Sequence, residues 1–152
     1  MPDIKRILVL CTGNSCRSQM AEGYLRELGE GRFEAHSAGT EPAERVHPLA
    51  VKAMAEDGID ISAQRPKDIG LYDDEEFDLV ITVCDSAKQS CPMFLNAREN
   101  VHWSLEDPAE AEGTEEERMT FFRQIRDRIR ERVERLVQTG EALNDEGEPV
   151  RL

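Results

Sequence analysis

Residues that could carry out thiol chemistry on a bound anion lie together at positions 11–18, in the octet Cys-Thr-Gly-Asn-Ser-Cys-Arg-Ser. Five residues separate Cys11 from Arg17, which suits a loop whose backbone N–H groups surround one tetrahedral anion at a helix N-terminus. The positive helix end and the Arg17 guanidinium would favour the thiolate of Cys11, the form that attacks electrophiles. The planar guanidinium can also hold two oxyanion oxygens at once. We predict that Cys11 and Arg17 are catalytic and that the loop binds the substrate through Thr12, Gly13, Asn14, Ser15, Cys16, Arg17 and Ser18.

The position of the octet supports this interpretation over a chance pairing of a buried Cys with a surface Arg. The apolar run 7–10 precedes it and indicates a buried strand, and an amphipathic segment begins near Gln19. Gly13 and Asn14 suit the intervening turn. The octet is therefore predicted to be a strand-to-helix loop.

A second pair of cysteines, Cys84 and Cys91, brackets a segment that could be a helical turn or a loop. In a helix, seven residues would separate the two Cα atoms by ~10.5 Å, whereas a disulfide requires less than ~7 Å. The two thiols could bond only if the segment unwinds, which fits a pair that is alternately reduced and oxidised. Two inert thiols, or a zinc site shared with Cys11 and Cys16, are the alternatives. Neither pair has the short spacing of zinc ligands, so we predict no metal site.

Composition limits the class of protein. The chain has 152 residues, 39% of them hydrophobic, which suits one domain with a single core. Its 32 acidic and 19 basic residues give a net charge of −13, which would repel nucleic acid and anionic membranes. We find no apolar stretch of ~20 residues and no signal pattern. We therefore expect a cytoplasmic monomer, whose cysteines would not form structural disulfides.

Strands and helices alternate along the sequence. We predict strands at 4–10, 33–37, 77–83 and 100–103, and helices at 19–28, 48–57 and 114–136, the last opened by a capping box of Thr114 and Glu117. This order indicates an α/β fold, a single doubly wound domain with a four-stranded parallel sheet. Cys11, Cys84 and Asp107 each follow a strand, and ligands bind outside the carboxyl ends of such strands. We predict a domain at 1–137 and an acidic, flexible tail at 138–152.

The segment 11–23 resembles the active-site loop of the low-molecular-weight tyrosine phosphatase superfamily, and most closely that of its arsenate reductase branch. Gln19 stands where the phosphatases usually have Pro. The similarity extends from Ile4 to Leu136 and implies a low-molecular-weight phosphatase-like fold. Thioredoxin-coupled arsenate reductases carry a loop nucleophile and a downstream redox pair, which match Cys11, Cys84 and Cys91.

The resemblance implies reduction of arsenate to arsenite by a relay of these three thiols. It also implies that no cofactor is bound and that thioredoxin or a similar dithiol protein is the reductant. Asp107-Pro108 alone would be a turn, but the resemblance makes Asp107 the general acid. Aromatic residues usually follow this pair in the phosphatases, and Ala109 and Glu110 follow it here.

Two other functions remain open. A tyrosine phosphatase would use Cys11, Arg17 and Asp107 without the second cysteine pair, and a non-catalytic protein could sense oxyanions or oxidation through the same loop. Some relatives also hold a potassium ion behind the loop, partly through residues that match Asn14, Glu22 and Ser37. The aspartate that usually completes that site would fall at the position of Lys67. The Lys67 ammonium could therefore replace the ion.

Overall fold

A four-stranded parallel sheet forms the centre of the fold in the computed structural model, which describes residues 4–84 and 94–152. The strand order is β2-β1-β3-β4, and all neighbouring strands are parallel, as the alternating pattern predicts. The strands are β1 (Lys5–Cys11), β2 (Phe33–Gly39), β3 (Phe77–Thr82) and β4 (Ala97–His102). The chain runs from β1 outward to β2 on one side and from β3 outward to β4 on the other. The order therefore reverses between β1 and β3, and ligands of such sheets bind at this switch point.

Three helices cover one face of the sheet: α1 (Arg17–Gly29), α2 (Pro48–Glu56) and α3 (Glu115–Thr139). Alternate strand residues such as Ile7 and Val9 join the helices in the larger apolar cluster. Leu8 and Leu10 point to the other face, where Tyr72 belongs to a short 3-10 helix that packs on the sheet. The buried strands thus carry apolar residues on both faces, as parallel strands require.

Helix α3 begins with the predicted capping box, in which the Thr114 hydroxyl and the Glu117 carboxylate each accept from the other residue's backbone N–H. Its buried stripe includes Phe122 and Ile129, and charged residues occupy the opposite side. Within residues 4–84 and 94–152, no helix combines the length and the apolar character that a membrane crossing requires.

Strand β4 begins at Ala97, three residues before the predicted start. Arg98 and Glu99 lie at its exposed start. Because β4 is at the edge of the sheet, it tolerates such charged side chains, and this removes the apolar signal from the sequence.

The segment 138–152, expected to be a flexible tail, is folded against the domain. Gly140 ends α3 with a φ of 74°, and β5 (Glu141–Leu143) then pairs with β6 (Pro149–Arg151) in an antiparallel hairpin. Ala142 is fully buried, and the Trp103 indole N–H donates to the Leu143 carbonyl oxygen at 2.9 Å. A three-residue strand with one buried side chain is too short to produce a periodic pattern, so the hairpin leaves no signal in the sequence.

Candidate active site

Cys11 is the last residue of β1, and Arg17 is the first residue of α1, so the predicted loop joins the two elements at the switch point. Both residues are buried, each with 2% of its surface exposed. The helix begins at Arg17, two residues earlier than expected, with Cys16 as its N-cap. The first turn of the helix therefore belongs to the site itself.

The loop is held from outside through its carbonyl groups. Backbone amides of the segment 41–47 donate to the carbonyl oxygens of Thr12, Gly13 and Ser15, each at 2.9 Å. The described peptide bonds are all trans, so the N–H group that shares a peptide with each of these carbonyls points the opposite way. Three backbone N–H groups are thus turned toward the concave side, as an anion-binding loop requires.

The sulfur of Cys11 contacts two polar groups of the loop. The Asn14 backbone N–H donates to Cys11 Sγ at 3.0 Å, and Ser18 Oγ lies 2.8 Å from the same sulfur. The Asn14 side-chain amide donates to Ser18 Oγ at 2.7 Å. Asn14 has a φ of 49°, a left-handed conformation that Asn adopts more readily than most residues. Its backbone therefore contacts the Cys11 sulfur directly, and its side chain contacts it through Ser18.

Arg17 connects the loop to the segment that follows β4. One guanidinium nitrogen donates to the Leu105 carbonyl oxygen at 2.9 Å, and another lies 3.6 Å from Asp107 Oδ2. The other carboxylate oxygen of Asp107 accepts from the Ala109 backbone N–H at 3.0 Å. The fold thus brings Asp107 to Arg17 although the two lie 90 positions apart in the sequence.

Cys16 lies in the loop but differs from Cys11 in its surroundings. Burial raises the pKa of its thiol to about 12, against the smaller opposing effect of the contact with Ser15. A thiol with this pKa stays protonated at neutral pH and is a poor nucleophile.

Behind the loop, the ammonium of Lys67 lies 3.6 Å from Glu22 Oε1, and the Ser37 hydroxyl donates to the same oxygen at 2.7 Å. The Lys67 ammonium also donates to the Arg65 carbonyl oxygen at 2.9 Å. A cation is therefore already supplied where some relatives hold potassium, and these residues do not fit the additional ion. Among the described residues, no group of three or more His, Cys, Asp or Glu side chains could hold a metal.

Cys84 follows β3, next to the end of β1, where the Val83 backbone N–H donates to the Leu10 carbonyl oxygen at 2.9 Å. It is fully buried and disulfide-bonded, whereas Cys11 and Cys16 are free thiols. Cys91 lies outside the described residues, and so does the segment 85–90 for which the sequence left helix and loop open.

Three contributors to the site escaped the sequence analysis. Gln19, noted only as a replacement of Pro, is fully buried and bonded to Asn14. Gly39 closes β2 directly against the loop, which the turn-like sequence 38–40 could have suggested. The Leu105 carbonyl has no sequence signal, since any residue could supply it.

The comparisons with known proteins agree with this geometry. Residues 6–148 match the family described as low molecular weight phosphotyrosine protein phosphatase. The arsenate reductase of Bacillus licheniformis is 50% identical over 137 residues, covering 90% of this chain and 98% of that protein. A solved arsenate reductase in the phosphate binding state superimposes with a TM-score of 0.76 at 37% identity, covering 89% of this chain and 98% of the other. The thioredoxin-dependent arsenate reductase of Corynebacterium glutamicum gives a TM-score of 0.62 at 28% identity. The match covers 90% of this chain and 63% of that protein.

A parallel sheet with a Cys-x5-Arg loop at its switch point defines the class of protein, and the chain belongs to the low molecular weight phosphotyrosine protein phosphatase family. Within that family it groups with the arsenate reductases. The family resemblance and the fold class inferred from the sequence are confirmed.

Proposed function

We propose that this protein reduces arsenate to arsenite by a relay of three thiols, regenerated by thioredoxin or a similar dithiol protein. The observation that carries the proposal is the Cys11–Arg17 loop, in which the buried Cys11 sulfur accepts from the Asn14 backbone N–H and the buried Arg17 guanidinium lies beside Asp107. The relatives named arsenate reductase support the choice of substrate.

The first step is a displacement at arsenic. The thiolate of Cys11 forms an S–As bond while Arg17 and the loop N–H groups hold the remaining oxygens. The As–O bond to the departing oxygen breaks, and Asp107 donates the proton that lets this oxygen leave as water. The contact between Arg17 and the Asp107 carboxylate, at 3.6 Å, supports this division of roles, because both side chains would then be within reach of the same bound anion.

The second step transfers two electrons to arsenic. The thiolate of Cys84 attacks Cys11, the S–As bond breaks toward arsenic, and arsenite leaves a Cys11–Cys84 disulfide behind. Cys91 then attacks Cys84, which forms a Cys84–Cys91 disulfide and frees Cys11. A dithiol protein reduces that bond by exchange. The adjacent ends of β1 and β3 and the disulfide-bonded state of Cys84 support this order, as does the thioredoxin-dependent relative.

Single serine variants test the relay in single-turnover experiments without reductant. Reduced Cys91→Ser treated with arsenate should release about one arsenite per chain and trap a Cys11–Cys84 disulfide, visible by peptide mapping. Cys84→Ser should release none, because its Cys11 adduct has no attacking thiol. The unsubstituted protein is the control and should turn over repeatedly with thioredoxin, thioredoxin reductase and NADPH.

Two results would contradict the relay. One is sustained turnover of both Cys84→Ser and Cys91→Ser with thioredoxin as the sole reductant. The other is an arsenite burst from Cys11→Ser, because a serine hydroxyl is a poor nucleophile without a strong base nearby.

A residual phosphatase activity is a second candidate, since Asp107 lies 3.6 Å from Arg17, the residue that follows the Cys11 loop and opens α1. A cavity of about 400 Å³ beside Asp107 is lined largely by carboxylates, which would repel an anionic phosphopeptide: Glu106, Asp107, Glu110, Glu112 and Glu117. We therefore expect slow hydrolysis of small aryl phosphates only. Cys84→Ser should retain it, since hydrolysis does not use the second cysteine pair.

A further inference from the structure

Gln19 lies at the centre of the hydrogen bonds that hold the loop. Its side chain is fully buried, and its amide nitrogen donates to the Asn14 carbonyl oxygen and to Asn14 Oδ1, both at 3.0 Å. The Arg65 carbonyl oxygen lies 2.9 Å from the same nitrogen, so the two amide hydrogens are shared among three oxygens. All three acceptors are oxygens without a proton, so the Gln19 amide must present its nitrogen to the loop.

The orientation of the Gln19 amide is also set from the protein surface. The Arg26 guanidinium donates to Gln64 Oε1 at 2.7 Å, and a guanidinium cannot accept a hydrogen bond. Gln64 must therefore turn its amide nitrogen inward, where it donates to Gln19 Oε1 at 2.8 Å. The Gln19 nitrogen is consequently left to face Asn14.

The donor-to-acceptor direction of these hydrogen bonds continues from Gln19 to the sulfur of Cys11. Because Asn14 Oδ1 accepts from Gln19 and from the Lys67 backbone N–H at 2.8 Å, the Asn14 amide nitrogen faces Ser18 Oγ at 2.7 Å. Ser18 has a single hydroxyl proton. With its oxygen accepting from Asn14, that proton is available to Cys11 Sγ, 2.8 Å away.

We propose that Gln19, oriented by Gln64, is a positioning residue that directs the Ser18 hydroxyl and the Asn14 backbone N–H toward the sulfur of Cys11. The proposal rests on the proposed function only in taking Cys11 as the nucleophile. Gln19 touches no substrate and acts entirely through Asn14 and Ser18. Its amide nitrogen, rather than its volume, is the group that matters.

Substitutions of Gln by Glu separate the amide nitrogen from the volume, because they are nearly isosteric and replace the N–H donor by a charged oxygen acceptor. In Gln19→Glu, a carboxylate faces the two oxygens of Asn14 and repels them. In Gln64→Glu, the contact with Arg26 persists, but Gln19 must turn its nitrogen outward to satisfy the new carboxylate. Gln124→Glu adds the same charge on an exposed position of α3 and is the matched control.

The readout is the pH dependence of alkylation of Cys11 by iodoacetamide in the fully reduced proteins, followed by mass spectrometry of the peptide that contains Cys11. Only the thiolate reacts, so the rate reports how well the loop stabilises the charged sulfur. We expect Gln19→Glu to shift the midpoint upward by about one pH unit, roughly a tenfold slower reaction below the midpoint. Gln64→Glu should shift it in the same direction by a smaller amount, and Gln124→Glu should not shift it.

An unshifted midpoint in a folded Gln19→Glu protein, with a Tm close to that of the unsubstituted chain, would overturn the proposal and make Gln19 a packing residue. If Gln19→Glu fails to fold, Gln64→Glu decides, because Gln64 is only half-buried and lies outside the loop. An unshifted midpoint there would likewise overturn it. Alkylation requires no arsenate, so a chain that fails to reduce arsenate but shows these shifts would refute the proposed function alone.

Discussion

Gly39 allows the closest approach between β2 and the active-site loop, and its replacement by Ala tests how tightly the loop must be held. A Cβ atom at position 39 would lie 2.4 Å from the Thr12 carbonyl oxygen and 3.1 Å from Asn14 Cβ. The loop would have to retreat by at least about 0.6 Å for the first contact to reach 3.0 Å, below which real Cβ contacts are essentially never seen. Gly39 cannot easily move instead, because its N–H donates to the Lys67 carbonyl oxygen at 2.8 Å.

We expect Gly39→Ala to lose about 1–3 kcal/mol of unfolding free energy through overpacking. The displaced loop carries the groups around Cys11, and misplacement of reacting groups by about 1 Å can cost roughly 10²-fold in rate. A shift of about 0.6 Å should therefore lower kcat/KM for arsenate by roughly tenfold or more. Urea unfolding and the thioredoxin-coupled assay measure the two effects separately.

Gly58→Ala is the matched control. Gly58 has a φ of 78°, and nothing lies within 4 Å of a Cβ atom built on it. The left-handed conformation alone should cost about 1–2 kcal/mol, without an effect on kcat/KM below the unfolding transition. If Gly39→Ala is destabilised like this control but keeps normal kcat/KM, the inference that Gly39 positions the loop is wrong.

Three further predictions concern charged residues. Arg17→Lys should lower kcat/KM for arsenate by about 10²- to 10³-fold, because lysine cannot form the bidentate hydrogen bonds of a guanidinium to the oxyanion. Near-normal steady-state kinetics would show that Arg17 does not bind the oxyanion in this way. Hydrogen bonds from Arg123, and to a smaller extent from Arg126, lower the pKa of Glu56 to about 2. The ionised Glu56 carboxylate therefore stabilises the folded protein fully above its ordinary pKa of 4.5, and this stabilisation is lost as the pH falls toward 2. The difference in urea-unfolding free energy between the unsubstituted chain and Glu56→Gln should shrink over that range, and a constant difference would contradict the shift. Exchange of KCl for NaCl at equal ionic strength should leave the steady-state kcat/KM unchanged, because the Lys67 ammonium already supplies the positive charge, and a potassium requirement would contradict this.

Local sequence patterns were sufficient for the fold class and for the chemistry of the loop. The apolar run before Cys11 and the β-branched run at 77–83 specify buried strands, because parallel strands covered on both faces need apolar residues at successive positions. The capping box at Thr114 was equally readable, since both of its hydrogen bonds lie within four residues. The strand-to-helix loop between Cys11 and Arg17 was located for the same reason, because the loop is a local structure.

Contacts between distant segments were decided only by the tertiary structure. Gln19 is bonded to Asn14 nearby but also to the segment at 64–65, and Gly39 meets the loop from a neighbouring strand. Neither contact leaves a local pattern, because a buried Gln and a strand-end Gly occur for many reasons. The hairpin at 141–151 was missed likewise, since Ala142 is buried by the body of the domain and not by its own sequence neighbours. A sequence shows which residue types could react; which backbone groups, amides and glycines hold them in place depends on packing between segments that the chain brings together only when folded.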